Sequence, residues 1–237
     1  MNLPRIVLVT GTDTGVGKTI TTAALAVALQ QQGSSVAVYK PCQSGNVDGD
    51  SDCTEVVRLA GPLMAEAGVV LQEPMAPVPA AAIDNVVLPP VAAHADRIRR
   101  LASEHDHVLV EGAGGLLVAL DHDGGTLAEL GALLGDAVAV VVVARPSLGT
   151  LNHTALTLEA LDRRDLPAIG VVLGSWPTTP GPVELSNRET LASWSTPLLG
   201  VIEADAAGLE PGIFRNRAAG WFDRLRLETS RLDGMPA

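Results

Sequence analysis

Apolar runs alternate with amphipathic segments along most of the chain. Short runs rich in Val, Ile and Leu predict strands at residues 5–10, 35–40, 107–112, 136–144, 167–175 and 197–202. The segments between and after them predict helices at 17–33, 52–61, 91–105, 125–135, 148–164 and 183–194, and a short one near Trp221. Because the strands are almost continuously apolar, both faces of their sheet should be buried. The pattern predicts an α/β fold with a mostly parallel central sheet and helices on both faces.

No repeat or flexible linker divides the chain, so residues 1–237 are predicted to form a single α/β domain. The Pro-rich stretch from Leu71 to Pro90 is predicted to be loop, and the sequence gives no role for it. In folds of this class, ligands bind beyond the carboxyl ends of the strands, which is where every motif below falls.

Composition narrows the classes of function. The net charge of −11 and the aromatic content of 3% disfavour nucleic acid as a partner. No apolar run is long enough to cross a membrane, and no basic segment precedes an apolar run at the N-terminus. We therefore expect neither a membrane partner nor a signal peptide, and a cytoplasmic location. Cys42 and Cys53 lack metal-site spacing and are predicted to be free thiols.

Lysine is rare in this chain. Of its 16 basic residues, only Lys18 and Lys40 are Lys, and the other fourteen are Arg. A compact ammonium fits where a planar guanidinium does not. Both positions are therefore candidates for a chemical role.

The stretch "GTDTGVGKT" at Gly11–Thr19 follows a predicted strand and opens a predicted helix. In that context, backbone N–H groups cradle phosphates, Lys18 reaches the β- and γ-phosphates, and the Thr19 hydroxyl binds Mg²⁺. Thr12 stands where such a loop usually has its first Gly. The alternative is an ordinary turn with a solvated Lys18. The pattern favours a P-loop NTPase-like fold with a nucleotide site at Thr12, Asp13, Thr14, Gly15, Val16, Gly17, Lys18 and Thr19.

Such a site needs carboxylates for Mg²⁺. Asp48, Asp50 and Asp52 alternate as in a calcium loop, but the Gly and Glu that a calcium loop requires are absent. A single Asp here is more often a solvated loop residue than a ligand. Glu111, at the end of a predicted strand and followed by "GAGG", is the stronger candidate.

Four motifs together resemble dethiobiotin synthetase: "GTDTGVGKT", "YKPCQSG" at Tyr39–Gly45, "VEGAGGLLV" at Val110–Val118 and "LGTLNHTALTLEAL" at Leu148–Leu161. They occur in family order within the first 175 residues, and the last 60 match weakly. The resemblance implies that 7,8-diaminononanoate, CO₂ and ATP give dethiobiotin, ADP and phosphate. A substrate carbamate would attack the γ-phosphate, and the second amine would then close the ring on the mixed anhydride.

The resemblance also implies roles for residues that match the family motifs. Lys40 would lie beside the carbamate, and Ser44 matches a family residue in the same loop. Lys18 would neutralise the phosphate side, Thr14 would be a phosphate-loop contact, and Thr19, Asp52 and Glu111 would be magnesium ligands. In the family, the helix that begins with "LGTLNH" comes from the second subunit of a homodimer and binds the substrate carboxylate. His153 is interpreted as a helix-face histidine. The implied substrate contacts are Lys40, Ser44, Glu111, Gly112, Ala113, Gly114, Gly115, Leu148, Gly149, Thr150 and Asn152.

The predicted base site departs from the family. Many members place an Asn after the fifth strand to read adenine, and here Gly174 stands there, followed by Ser175. The loss of a side-chain amide predicts relaxed base selection among nucleoside triphosphates. The alternative is that Ser175 takes over the role.

Two rival functions share the nucleotide motif. Partitioning or septum-positioning switches carry a signature Lys early in the loop, where this chain has Asp13, and the chain shows no amphipathic membrane-binding tail. Cobyrinate-type ligases carry an additional glutaminase domain with a catalytic Cys, and neither Cys here has that context. Dethiobiotin formation is the favoured prediction.

Overall fold

A computed structural model describes residues 3–45 and 51–222, so Asp48 and Asp50 lie outside the described residues. Its strands are β1 (Ile6–Gly11), β2 (Val36–Gln43), β3 (Met64–Val70), β4 (His107–Gly115), β5 (Val138–Ala144), β6 (Ala168–Trp176) and β7 (Leu198–Glu203). Its α-helices are α1 (Lys18–Gln30), α2 (Asp52–Ala60), α3 (Pro77–Asp84), α4 (Val91–Glu104), α5 (Leu127–Leu134), α6 (Thr150–Asp162), α7 (Pro182–Ala192) and α8 (Pro211–Ala218).

The strands form one seven-stranded sheet in the order β3-β2-β4-β1-β5-β6-β7. Every pairing is parallel, which confirms the predicted fold class. The central strand β1 is fully buried, as its unbroken apolar run predicts. Its carboxyl end leads into the loop that carries the Gly-Lys-Thr motif.

Each face of the sheet has its own apolar core. One core combines α1, α2 and α8 with inward side chains such as Val38 and Leu109, and its far end is closed by the edge-to-face pair Phe214–Trp221. The other core combines α3, α4 and α5 with side chains such as Val108 and Val110. Because side chains alternate along a strand, neighbouring residues of β4 enter opposite cores. None of the helices in the described part of the chain is long and apolar enough to cross a membrane.

Two elements differ from the sequence prediction. Pro77–Asp84, predicted as loop, is a helix whose prolines 77 and 79 lie in its first turn, where proline is tolerated because those N–H groups have no helical partner. Met64–Val70 forms an edge strand that the apolar pattern did not reveal. Its side chains are half-buried or exposed, and an edge strand needs less apolar surface than a central one.

The register of β2 against β4 positions the site. Tyr39 pairs with Val110, so the next residues, Lys40 and Glu111, lie side by side on the face of the sheet covered by α1 and α2. Two charged residues thus stand within otherwise apolar strands at the carboxyl end of the sheet.

Candidate active site

The phosphate loop turns sharply between β1 and α1. Gly15 and Gly17 have φ angles of 71° and 96°, a left-handed conformation that side chains other than Gly rarely adopt. The N–H of Thr12 donates to the Val143 carbonyl at 2.9 Å and ties the loop to β5. A Cβ on Gly11 would lie 3.0 Å from Lys18 Nζ and closer still to the loop backbone. The glycine at position 11 therefore leaves room for the Lys18 ammonium.

Lys18 is 7% exposed and donates through Nζ to the Asp13 carbonyl at 3.1 Å. Asp13 forms an ion pair with Arg145, which follows β5, and accepts a hydrogen bond from the Thr14 N–H at 2.7 Å. That N–H bond, together with the nearby guanidinium, lowers the pKa of Asp13 below its usual range. The loop is thus held by a carboxylate at the position where partitioning switches have their lysine.

Four side chains, each from a different element, meet on the floor of the site. Lys40 Nζ lies 2.6 Å from Asp52 Oδ2 and 2.8 Å from Glu111 Oε1. The Thr19 hydroxyl lies 2.9 Å from Asp52 Oδ1 and 3.0 Å from Glu111 Oε1. Within the described residues, Glu111 Oε2 is buried without a hydrogen-bond partner. We call these four residues the carboxylate cluster.

The electrostatics of this cluster are set by burial and by its own charges. Burial alone would lower the pKa of Lys40, but the carboxylates of Glu111 and Asp52 outweigh it and raise that pKa. Burial would likewise raise the pKa of Asp52, and the Lys40 ammonium reverses the direction and lowers it. For Lys18, burial dominates and lowers the pKa, with Lys40 adding to the effect.

Gln43 orders this cluster, and the sequence analysis missed it. Its Oε1 accepts the Asp52 N–H at 3.0 Å, and its Nε2 donates to the Ser44 carbonyl at 3.0 Å. The side chain is 5% exposed and so fixes the start of α2 against the end of β2. The only signal in the sequence was the place of Gln43 within the "YKPCQSG" motif, three residues after the predicted strand.

A cleft of about 940 Å³ opens above the cluster. Part of its wall is the Pro-rich segment, through Pro74, Met75, Ala76 and Pro77, which gives that segment the role the sequence did not reveal. Ser44 lies on the rim with the glycine-rich end of β4. Of the predicted site residues, the cleft is lined by Thr14, Gly15, Gly17, Lys18, Thr19, Lys40, Ser44, Asp52, Glu111, Ala113 and Gly114.

The remaining predicted residues do not line this cleft. Val16 is buried behind the phosphate loop. Gly112 faces the core, where a Cβ would press against Leu127, and Gly115 pairs with Gly11 in the sheet. The others, which lie on the loop's outer side, at the end of β6 or at the start of α6, are Thr12, Asp13, Gly174, Ser175, Leu148, Gly149, Thr150 and Asn152.

The end of β6 packs directly on the phosphate loop. A Cβ at Gly174 would overlap the Val16 carbonyl, so this backbone accepts no side chain there. Ser175 has a φ of 56°, a left-handed conformation in which Asn is enriched, and it is exposed beside Gly17. The backbone therefore has room for a side chain such as Asn at residue 175 and none at residue 174.

The start of α6 has a different character. Gly149, with φ 92°, precedes it, and no side chain caps its first turn. The hydroxyls of Thr150 and Thr154 are buried without a hydrogen-bond partner among the described residues. Leu148 is 84% exposed and Leu156 is 56% exposed. Across residues 3–45 and 51–222 as a whole, no group of three or more His, Cys, Asp or Glu residues is placed to hold a metal ion.

Comparison with known proteins identifies the family. Residues 5–208 match the family described as AAA domain. The chain is 49% identical over 223 residues to the ATP-dependent dethiobiotin synthetase BioD of Mycobacterium avium (strain 104), covering 92% of this chain and 96% of that one. It is also 49% identical over 219 residues to the protein of that name from Mycobacterium marinum, with the same coverage.

Among solved structures, the Pyrococcus furiosus cell division ATPase MinD superposes with a TM-score of 0.59 over 97% of this chain and 99% of that one. Its sequence is only 22% identical, so the likeness shows a shared P-loop fold and nothing more. The sequence relatives are far closer, and each covers 92% of this chain. The chain belongs to the family of ATP-dependent dethiobiotin synthetases.

Proposed function

We propose that this protein is an ATP-dependent cyclo-ligase that converts 7,8-diaminononanoate and CO₂ to dethiobiotin. The observation that carries the proposal is the meeting of Lys18, Lys40, Asp52, Glu111 and Thr19 below one cleft. The sequence relatives named above support the same activity.

The reaction needs positioning and charge but no nucleophilic side chain. One substrate amine adds to CO₂ and loses a proton to give a carbamate. A carbamate oxygen attacks the γ-phosphorus, breaks its bond to ADP and forms a mixed anhydride. The second amine attacks the anhydride carbon, loses a proton and expels phosphate as the ring closes. Fixed charges that favour the meeting of two anions carry most of the rate.

Two lysines divide that task. Lys18, on the phosphate loop, binds the phosphate side of the reacting pair. Lys40 lies across the cleft floor and faces the carbamate, and its raised pKa keeps it charged throughout the neutral range. Ser44 stands on the rim of the same cleft, where its hydroxyl binds the carbamate end of the substrate.

The carboxylate cluster fits Mg²⁺. Lys40 holds Asp52 Oδ2 and Glu111 Oε1, which leaves Asp52 Oδ1 beside the Thr19 hydroxyl and Glu111 Oε2 without a partner among the described residues. Those three oxygens are hard ligands that suit Mg²⁺. Asp52, Glu111 and Thr19 would hold the ion, which would supply positive charge to neutralise the phosphates.

The substrate site is shared between the subunits of a homodimer. The start of α6 lies away from the cleft of its own chain, and its first N–H groups are not capped by a side chain. Helix N-termini bind anions, so this turn holds the substrate carboxylate through Gly149, Thr150 and Asn152 of one subunit in the cleft of the other. Exposed Leu148 and Leu156 supply the apolar surface that such a contact buries.

The test is incubation of the protein with diaminononanoate, bicarbonate and MgATP, followed by detection of dethiobiotin and ADP. Formation of both in equal amounts supports the proposal. ATP hydrolysis without dethiobiotin would instead favour a nucleotide-driven switch. A requirement for glutamine would favour an amidotransferase.

A further inference from the structure

Asn187 connects α7 to the loop between β5 and α6. Its Nδ2 donates to the carbonyls of Pro146, at 2.8 Å, and Ser147, at 3.3 Å. The side chain is 7% exposed, and buried polar groups in folded proteins are nearly always hydrogen-bonded, as this amide is. Two consecutive carbonyls converge on one amide, an arrangement that needs a side chain with two N–H donors.

The same loop leads straight into the first turn of α6. The Ser147 carbonyl that Asn187 holds also accepts the Thr150 N–H, at 3.3 Å. Most helix starts are fixed by a capping side chain that occupies one or two of the first N–H groups. Gly149 has no side chain to do this, so the start of α6 is fixed from outside, and no side chain occupies its leading N–H groups.

We propose that Asn187 is a positioning residue for the carboxylate-binding turn at the start of α6. It contacts no reacting atom and acts by setting the direction of that turn. This inference rests on the proposed function, because it assumes that the turn receives the substrate carboxylate. A misplacement of about 1 Å in such a turn is enough to cost about 100-fold in rate.

The experiment compares Asn187→Asp and Asn187→Ala with wild type and with Thr190→Val. Asp is nearly the same shape but lacks both N–H donors, whereas Ala removes the group without adding charge. The hydroxyl of Thr190, one turn along α7, donates to the Ser186 carbonyl of the same helix at 2.9 Å, so Thr190 serves as the matched control. Measurements are KM for diaminononanoate, KM for ATP, kcat and the thermal midpoint.

We expect both Asn187 variants to raise KM for diaminononanoate by about tenfold to 100-fold, with KM for ATP within about twofold of wild type. Thr190→Val should leave both unchanged. With 2,3-diaminooctane, which lacks the carboxylate, the variants should match wild type, because the turn then has no anion to bind.

An unchanged KM for diaminononanoate, an equal rise in both KM values, or the same loss on the carboxylate-free diamine would each overturn the inference. Failure of both variants to fold would also overturn it, since Asn187 would then be a residue of general stability. Dethiobiotin formation by the wild-type protein tests the proposed function. The ratio of the variants' kinetic constants to those of wild type tests the role of Asn187, so the two can fail separately.

Discussion

The two ends of the proposed substrate path are built in opposite ways. At the phosphate end, charged groups satisfy one another: Lys40 holds both carboxylates of the cluster within 2.8 Å, and Thr19 bridges them. At the start of α6, Thr150 has a buried hydroxyl without a partner in the described part of the chain, and Leu148 is 84% exposed. The Thr150 hydroxyl lies inside its own chain and Leu148 lies at the surface, so neither is held by ion pairs of the kind that order the cluster.

Sheet topology explains the difference. The phosphate loop, the end of β2 and the end of β4 come from three adjacent strands, and the carboxyl ends of parallel strands meet at one edge. Charges contributed there are close enough to pair. The helix α6 follows β5 on the other side of β1, and its first turn does not line that cleft.

The largest effect is expected from a substitution at the phosphate end of the proposed substrate path. Lys40→Ala should reduce turnover by at least about 100- to 1,000-fold, because the carbamate loses its fixed charge. Binding of MgATP should stay nearly intact, since the phosphate loop and Lys18 are untouched. Steady-state rates and calorimetric titration of nucleotide measure the two effects.

Lys40→Arg should also be poor, because a planar fork does not replace a point charge between two carboxylates. Arg97→Ala is the control, since it removes an ion pair to Glu66 outside the cleft. Wild-type rates in Lys40→Ala would refute the role, and a collapse in the Arg97 control would show that the assay reports folding.

The second effect tests whether the two ends belong to different subunits. Homodimers of Lys40→Ala and of Asn152→Ala should each be weak. After equal mixing, heterodimers contain one intact composite site, so about a quarter of wild-type activity should return. Native mass spectrometry confirms subunit exchange. No recovery despite exchange would mean that each subunit builds its own site.

The third prediction tests whether Glu111 contributes to catalysis or only to the stability of the fold. Glu111→Gln should lower kcat at least about tenfold and raise the Mg²⁺ concentration for half-maximal rate, with partial recovery in excess Mg²⁺. Nucleotide-dependent Mn²⁺ binding, followed by electron paramagnetic resonance, should weaken in parallel. If the thermal midpoint falls in step with activity, Glu111 is structural. Glu66→Gln, remote from the cleft, controls for the loss of a paired carboxylate.

Much of this architecture follows from local sequence signals. Continuous apolar runs marked all the central strands, and the Gly-Lys-Thr motif marked the loop, because both depend on residues close in the chain. The edge strand Met64–Val70 lacked such a run, and the Pro-rich helix α3 was mistaken for loop because its prolines fall in the first turn. Gln43 and Asn187 were missed because their partners are set by tertiary packing, which a single sequence does not display.

The smallest expected effect concerns the nucleotide base, which we predict to lie beyond the end of β6. Gly174 carries no side chain because the Val16 carbonyl occupies the space, and Ser175 offers a hydroxyl in place of the side-by-side donor and acceptor of an amide. Since the triphosphate keeps its contacts with the phosphate loop, weak base reading costs selectivity more than affinity. Competition binding should therefore place CTP or another triphosphate within about tenfold of ATP. The variant Ser175→Asn should sharpen the preference for ATP, because a φ of 56° suits Asn, whereas Gly174→Asn should disrupt the phosphate loop. A wild-type preference for ATP of about 100-fold or more over every other triphosphate would show that backbone groups or Ser175 already read adenine in full.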